Sequence, residues 1–308
     1  MRFTIINYIR IVTIYLLLTF CLAANSPVTR QVPIKITKII SQDVIVLENK
    51  WAKVAVDLEK SGRIVYLGSP KVNLLYLNPE VSQKADWKNH GGDFLWVGPQ
   101  SSWPNNGWPP IVPFDGEHWL LHDSSAQEII VQSPSYNGIS LEKRIQLLEK
   151  IIRVTYTLIN SSDESVQWGL WDITQLPVPL TTRFSFASTN NIKVFDFPAN
   201  VDINDLLNKG IISSQKGMLA IHCMEDYETY KLGGITQKNE IVSKTTKGTL
   251  TKTFSLNKDA TSYPDNCNIE VYKDPENKYV EVEVLWELLK MQPNTTHSET
   301  IDYSFTLN

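Results

Sequence analysis

The sequence predicts an all-β protein, built as one large antiparallel β-sandwich. Two observations carry this. Apolar and polar residues alternate in short run after short run, about eighteen in all, each closed by Gly, Pro, Asn or Ser. Helical spacing is confined to two brief stretches, so the sheets have little but each other to cover their apolar faces.

At the N-terminus, Met1–Arg10 carries Arg2 and Arg10 and no acid, Ile11–Leu22 is apolar except for Thr13, Tyr15 and Thr19, and Ala23 and Ala24 come next. This is the charged, apolar, small-residue order of a secretory signal, and cleavage is expected after Ala23 or Ala24. The apolar run falls short of the ~20 residues of a spanning helix, so no stable membrane insertion is expected after cleavage. The expectation is a secreted or periplasmic protein whose residues 25–308 form one domain, a length at which all-β sandwiches occur undivided.

Strands are expected at Asp43–Glu48, Trp51–Leu58, Gly62–Leu67, Val72–Leu77, Arg153–Ile159, Ser165–Leu176 and Lys193–Phe197. Further strands are expected at Gly217–Cys223, Gly248–Leu256, Asn268–Tyr272, Tyr279–Trp286 and Thr300–Leu307. Leu141–Lys150 has helix formers, but strand sequence comes immediately after it and it reads as part of a β-hairpin. Asp202–Asn208 starts with a capping residue and ends near Gly210, which predicts a short helix. Asn89–Asp115 is rich in Gly, Pro, Asn and Trp and reads as a long loop; its tryptophans make it the place to look for function.

Composition excludes some classes. The net charge of −4 becomes −6 once the leader's two arginines are gone, and no basic cluster exists to hold nucleic acid. Cys223 and Cys267 lack CxxC or CxxH surroundings, and are either two buried thiols or a disulfide. His90, His118, His122 and His222 are scattered; no metal site, phosphate loop, GxSxG or cofactor motif is evident.

Three constellations remain. The loop offers Trp96, Trp103 and Trp108 beside Asp93, Gln100, Asn105 and Asn106. Sugars present apolar C–H faces and polar hydroxyl edges, so flat aromatics next to bidentate hydrogen-bonding side chains suit them. In Trp168–Gln175, strand alternation sets Trp168, Leu170 and Asp172 against Trp171, Ile173 and Gln175. An Asp in so apolar a strand either has a buried partner or points into a site. In Tyr279–Glu287, Glu281, Glu283 and Glu287 share one face, either a solvated one or a carboxylate row lining a site.

These segments, in this order, resemble the galactose mutarotase-like superfamily, in a branch classed as a domain of unknown function. The landmarks are Gly62-Arg63-Ile64, Asn73–Glu80, Gly91–Gln100, Phe114-Asp115-Gly116, Arg153–Asn160 leading into Trp168–Gln175, Lys231-Leu232-Gly233, Tyr263-Pro264-Asp265, Asn268–Tyr272 and the Glu281/Glu283 strand. The resemblance implies a large β-sandwich that binds carbohydrate on a concave face, with Asp265 among the contacting residues. In the family's aldose epimerases a Glu near the C-terminus takes the anomeric hydroxyl proton while a His protonates the ring oxygen. Glu281 or Glu283 stands where that base is expected, but Trp171-Asp172 replaces the family's Asn-His. One reading is therefore an exported carbohydrate-binding protein that needs no cofactor. Another is a sugar isomerase working with Asp172 and Glu281 or Glu283, and a third is a structural envelope protein whose tryptophans are core.

Overall fold

The computed structural model describes residues 35–39 and 43–308, apart from 126, 187–191, 198–200, 216–217, 225–228, 258–259, 261 and 277. The expected leader lies outside these residues, and the described strands all belong to the compact unit Pro33–Asn308. Its first strands are β1 (Lys35–Ile39), β2 (Val44–Glu48), β3 (Lys53–Asp57), β4 (Arg63–Gly68), β5 (Asp93–Gly98), β6 (Leu120–Ser124) and β7 (Glu128–Gln132). Then come β8 (Ile139–Leu148), β9 (Ile151–Asn160), β10 (Val166–Pro177), β11 (Leu180–Phe186), β12 (Lys193–Val194), β13 (Ile212–Gln215) and β14 (Met218–Cys223). The last are β15 (Tyr230–Gly234), β16 (Thr236–Thr245), β17 (Gly248–Phe254), β18 (Ile269–Lys273), β19 (Tyr279–Leu285), β20 (Leu289–Met291) and β21 (Thr295–Leu307).

All pairings are antiparallel, and they make two sheets. The first runs β1-β2-β3-β4-β5-β10-β19-β18-β15-β12, with β20 beside β10; the second runs β13-β14-β11-β16-β17-β21-β9-β8-β7-β6. The fold is thus the two-sheet antiparallel architecture that the alternation predicts. Apolar side chains between the sheets, among them Val54, Ile64, Leu95, Val154, Leu158, Val282 and Ile301, form one continuous core. Among the described residues, no helix is long and apolar enough to cross a membrane.

Several expected features are present. Leu141–Lys150 enters a hairpin: β8 pairs residue for residue with β9 from Ile139↔Asn160 to Leu148↔Ile151. The short helix α1 covers Ile203–Asn208, and the Asp202 side chain caps it by accepting from the Asn204 amide. Both cysteines are free and buried. Two expectations need correction. Val72–Leu77 makes only single bridges, Gly68↔Asn73 and Leu77↔Gly91, because Asn73 bends the chain by capping Leu67 N–H and Leu75 N–H. Asn89–Asp115 is not all loop: Asp93–Gly98 is a fully buried central strand paired with β10, and its apolar run Phe94–Val97 reflects burial on both faces.

Candidate functional site: an aromatic cavity over a carboxylate floor

Neighbouring strands in the middle of the first sheet set the site. The register aligns Trp171 with Trp96 and Leu285, Ile173 with Phe94 and Glu283, and Gln175 with Glu281. On the next strand pair Glu283 faces Glu270, and Glu281 faces Tyr272. Alternation therefore puts Trp96, Trp171, Gln175, Glu270, Tyr272, Glu281 and Glu283 on one face of the sheet. The opposite face, with Asp93, Asp172 and Thr174, looks at the second sheet.

Loop residues wall the outward face into a cavity of about 520 Å³, lined by Trp87, Trp96, Gln100, Trp108, Trp171, Phe197, Lys231, Tyr272, Tyr279 and Glu281. Its indoles brace one another edge to face: Trp87 on Trp96 at 5.7 Å, Trp87 on Trp108 at 5.5 Å and Trp96 on Trp171 at 5.4 Å between ring centroids. One carboxylate holds the wall. Asp115 accepts the indole N–H of both Trp87 and Trp96 at 2.8 Å, and both of its oxygens accept from Nη2 of buried Arg63 at 2.7 Å. Gln100 is placed by donating to Gly107 O at 2.9 Å. The turn that carries this carbonyl uses left-handed Asn105, Asn106 and Gly107, and a Cβ on Gly107 would stand 3.0 Å from Gln100 O.

The floor is acidic and only partly satisfied. Lys231 places its ammonium 2.6 Å from Glu270 and 3.4 Å from Glu283, and 4.9 Å from the Trp171 ring centroid. Trp171 Nε1–H donates to Glu283 at 2.7 Å, and Gln175 donates to Glu281 at 2.8 Å. Burial, together with Glu283, pushes the Glu281 carboxyl up to about 8. Burial raises Glu270 to about 7, with Lys231 working against it and Glu283 adding to it. Burial alone would lower the Lys231 ammonium, but Glu270 and Glu283 outweigh it and hold it above the ordinary lysine value. Gln175 Oε1, Glu270 Oε1 and Glu283 Oε1 are buried without a hydrogen-bond partner. All three are acceptors, on the face of the sheet that the cavity covers.

The structure brings together Trp96, Gln100, Trp108, Trp171, Gln175, Glu281 and Glu283. The other expected site residues lie elsewhere. Trp103 is buried behind the wall, its N–H donated to Val97 O at 2.7 Å and its ring packed on Trp96 and Trp171. Asp265 sits in a turn 3.9 Å from the Lys193 ammonium. Asp93 and Asp172 are fully buried between the sheets: Tyr303 O–H donates to Asp93 at 2.7 Å, Tyr156 O–H donates to Asp172 at 2.5 Å, and the Lys252 ammonium pairs with Asp172. Asp172 is thus the buried, partnered alternative of the two left open by its strand. It shares no face with Glu281 or Glu283, so the carboxylate pair expected for catalysis is not assembled. His118 lies 3.7 Å from Glu59 and 4.0 Å from Asp43 on the exposed surface, while His122 turns to Glu142.

Comparison with solved structures places the sandwich. A Synechocystis protein, Slr1438, superposes with a TM-score of 0.60 at 12% identity over 90% of this chain and 98% of its own. A galactose mutarotase-like protein from Clostridium acetobutylicum gives 0.56 at 12% identity, over 89% and 98%. A galactose mutarotase related enzyme from Lactobacillus acidophilus gives 0.56 at 11% identity, over 85% and 96%. The chain has a galactose mutarotase-like fold. No family model matches the sequence, and no curated protein does either. At such identities the fold is shared while the site is this chain's own. On the galactose mutarotase-like sandwich of this chain the cavity is lined by tryptophans, tyrosines, Phe197, Gln100, Lys231 and Glu281, with no histidine among the described lining residues.

Proposed function

We propose that this protein binds carbohydrate in the cavity above β5, β10 and β19. The observation that carries the reading is a cavity that pairs an indole and tyrosine wall with the polar lining groups Gln100, Lys231 and Glu281. A pyranose supplies both complements, C–H faces for the rings and hydroxyls for Gln100, Lys231 and Glu281. Binding is favoured over acid–base catalysis because Asp172, the acid expected beside Glu281, lies on the other side of the sheet and is held by Lys252 and Tyr156. We further propose that the chain is exported after cleavage next to Ala23 or Ala24, on the charge and apolar order of its leader; sequencing the N-terminus of exported protein and finding Met1 would refute this. Sugar binding is tested by titrating monosaccharides and short oligosaccharides while monitoring tryptophan emission. Saturable quenching is expected, and a flat response across a broad sugar panel, matched by silent calorimetry, rejects the proposal.

A further inference from the structure

Building on the carbohydrate reading of the cavity, we infer that its preferred ligand is a sugar bearing a protonated amine, and that sugar acids and sugar phosphates are turned away. The charges around the cavity favour a cation. Glu270, Glu281 and Glu283 share one face of β18 and β19, and Lys231 is the single cation among the described residues lining the cavity. That ammonium is already bound to two of the three carboxylates. The Arg63 guanidinium is already held by Asp115, which also takes the Trp87 and Trp96 indole N–H groups, and by Gly91 O. A carboxylate or phosphate on a ligand therefore meets carboxyl groups and no free cation, whereas an ammonium meets Glu281, which can give up its proton to pair with it.

The polar satisfaction points the same way. Glu281 lines the cavity itself, and the buried orphans beneath the lining on this face (Gln175 Oε1, Glu270 Oε1, Glu283 Oε1) are all acceptors, which a nearby positive charge stabilises. An ammonium is a pure donor of three hydrogens. The walls add to this: Trp87, Trp108, Trp171, Tyr272 and Tyr279 supply ring faces, and one of them, Trp171, already carries the Lys231 ammonium at 4.9 Å. Burial and Glu283 push the Glu281 carboxyl up to about 8, so near neutral pH this group keeps a proton where a cation is missing. A ligand ammonium supplies that cation, and Glu281 releases its proton to solvent on binding.

The experiment is isothermal calorimetry just below neutral pH on the full exported chain. Its probes are glucosamine and galactosamine beside glucose, galactose, their N-acetylated amines, glucuronate and glucose 6-phosphate. The expected result is an amino sugar bound roughly tenfold or more tighter than its parent and its N-acetyl form, about 1.4 kcal/mol or more, with glucuronate and glucose 6-phosphate not detectably bound. Repeating the titration in buffers of different ionisation enthalpy is expected to reveal proton release, and Glu281→Gln to bring the amine-to-parent ratio towards one. Equal affinity for amine and parent, or tighter binding of the acid or phosphate, overturns this inference and leaves carbohydrate binding standing. Binding of no sugar in the panel removes both.

Discussion

Asp115 takes hydrogen bonds from three residues at once, and it is the residue on which the cavity wall depends. Removing it leaves the Arg63 guanidinium buried without its counter-charge and frees both Trp87 and Trp96 Nε1–H. Breaking one side of a buried ion pair typically costs about 3–5 kcal/mol. Asp115→Ala is therefore expected to lose roughly that much stability in urea unfolding, and to red-shift tryptophan emission as the indoles gain water. A change under about 1 kcal/mol would show the pair to be dispensable. Asp172→Asn is the contrasting case: it takes the directly paired counter-charge from the Lys252 ammonium between the sheets, so stability drops. The folded fraction should still bind sugar as wild type does, and a selective loss of affinity at full stability would return Asp172 to the site. Neither role was legible in the sequence. Arg63 and Asp115 lie 52 positions apart and meet only through the fold, and alternation gives Asp172 a face without saying which face the second sheet covers.

β10 separates two chemistries by the thickness of one backbone. Trp171 and Gln175 look to the cavity, while Asp172 and Thr174 look to the buried cluster. Beside the cavity end of the strand, Gly169 pairs with Gly98, and both leave room for Pro264; a Cβ on Gly169 would lie 2.6 Å from Trp286 O. Gly169→Ala is thus expected to destabilise the protein by about 1–3 kcal/mol through forced displacement of that strand end, checked by thermal unfolding. The loop between β5 and β6 divides its tryptophans in the same way. Trp108, 43% exposed at the cavity, is expected to act in binding, so Trp108→Ala should weaken sugar affinity about 10- to 100-fold with little change in stability. Trp103, 4% exposed and packed behind the wall, should show the reverse, a core loss of about 3–5 kcal/mol. Composition alone marked the loop as the site and grouped these tryptophans; only burial tells them apart. The Tyr279–Glu287 strand was more legible, because its period-two pattern set Glu281 and Glu283 on one face, though Glu287 lies beyond the end of β19.

For the molecule as a whole, the buried carboxyls set the pH response. Burial and Asp172 raise Asp93 to about 7 from an ordinary value of 3.8, while Glu270 reaches about 7 and Glu281 about 8 from 4.5. The folded chain keeps these protons where the unfolded chain has released them, so the stability they contribute at acid pH is lost as pH rises towards 7 and 8. His90 works against them: burial and Arg63 lower it to about 4 from 6.5, which adds stability as pH climbs to 6.5 and nothing after. Lys143, lowered to about 8 by burial, restores stability only above that value. Between 6.5 and 8 the carboxyls act alone, and the urea midpoint is expected to fall across that window; a midpoint that rises there would place the protons elsewhere. None of this could be read from net charge, which counts ionisable groups without their burial. The two-sheet architecture itself was legible, since alternation survives in long strands such as β8 and β9 and fades where strands such as β5 and β10 are covered on both faces.

The packing of the indoles has an optical consequence. Trp87, Trp96, Trp103, Trp108 and Trp171 form a connected set with centroid separations of 5.1 to 6.5 Å. At such distances their transition dipoles couple, and excitation absorbed by any one of them is shared with the rest. The near-ultraviolet circular dichroism of the native protein should therefore carry paired bands of opposite sign that no isolated tryptophan gives. A sugar lying against Trp108 alone would dim the emission of the whole group, so the protein reports occupancy of its own cavity without an added dye.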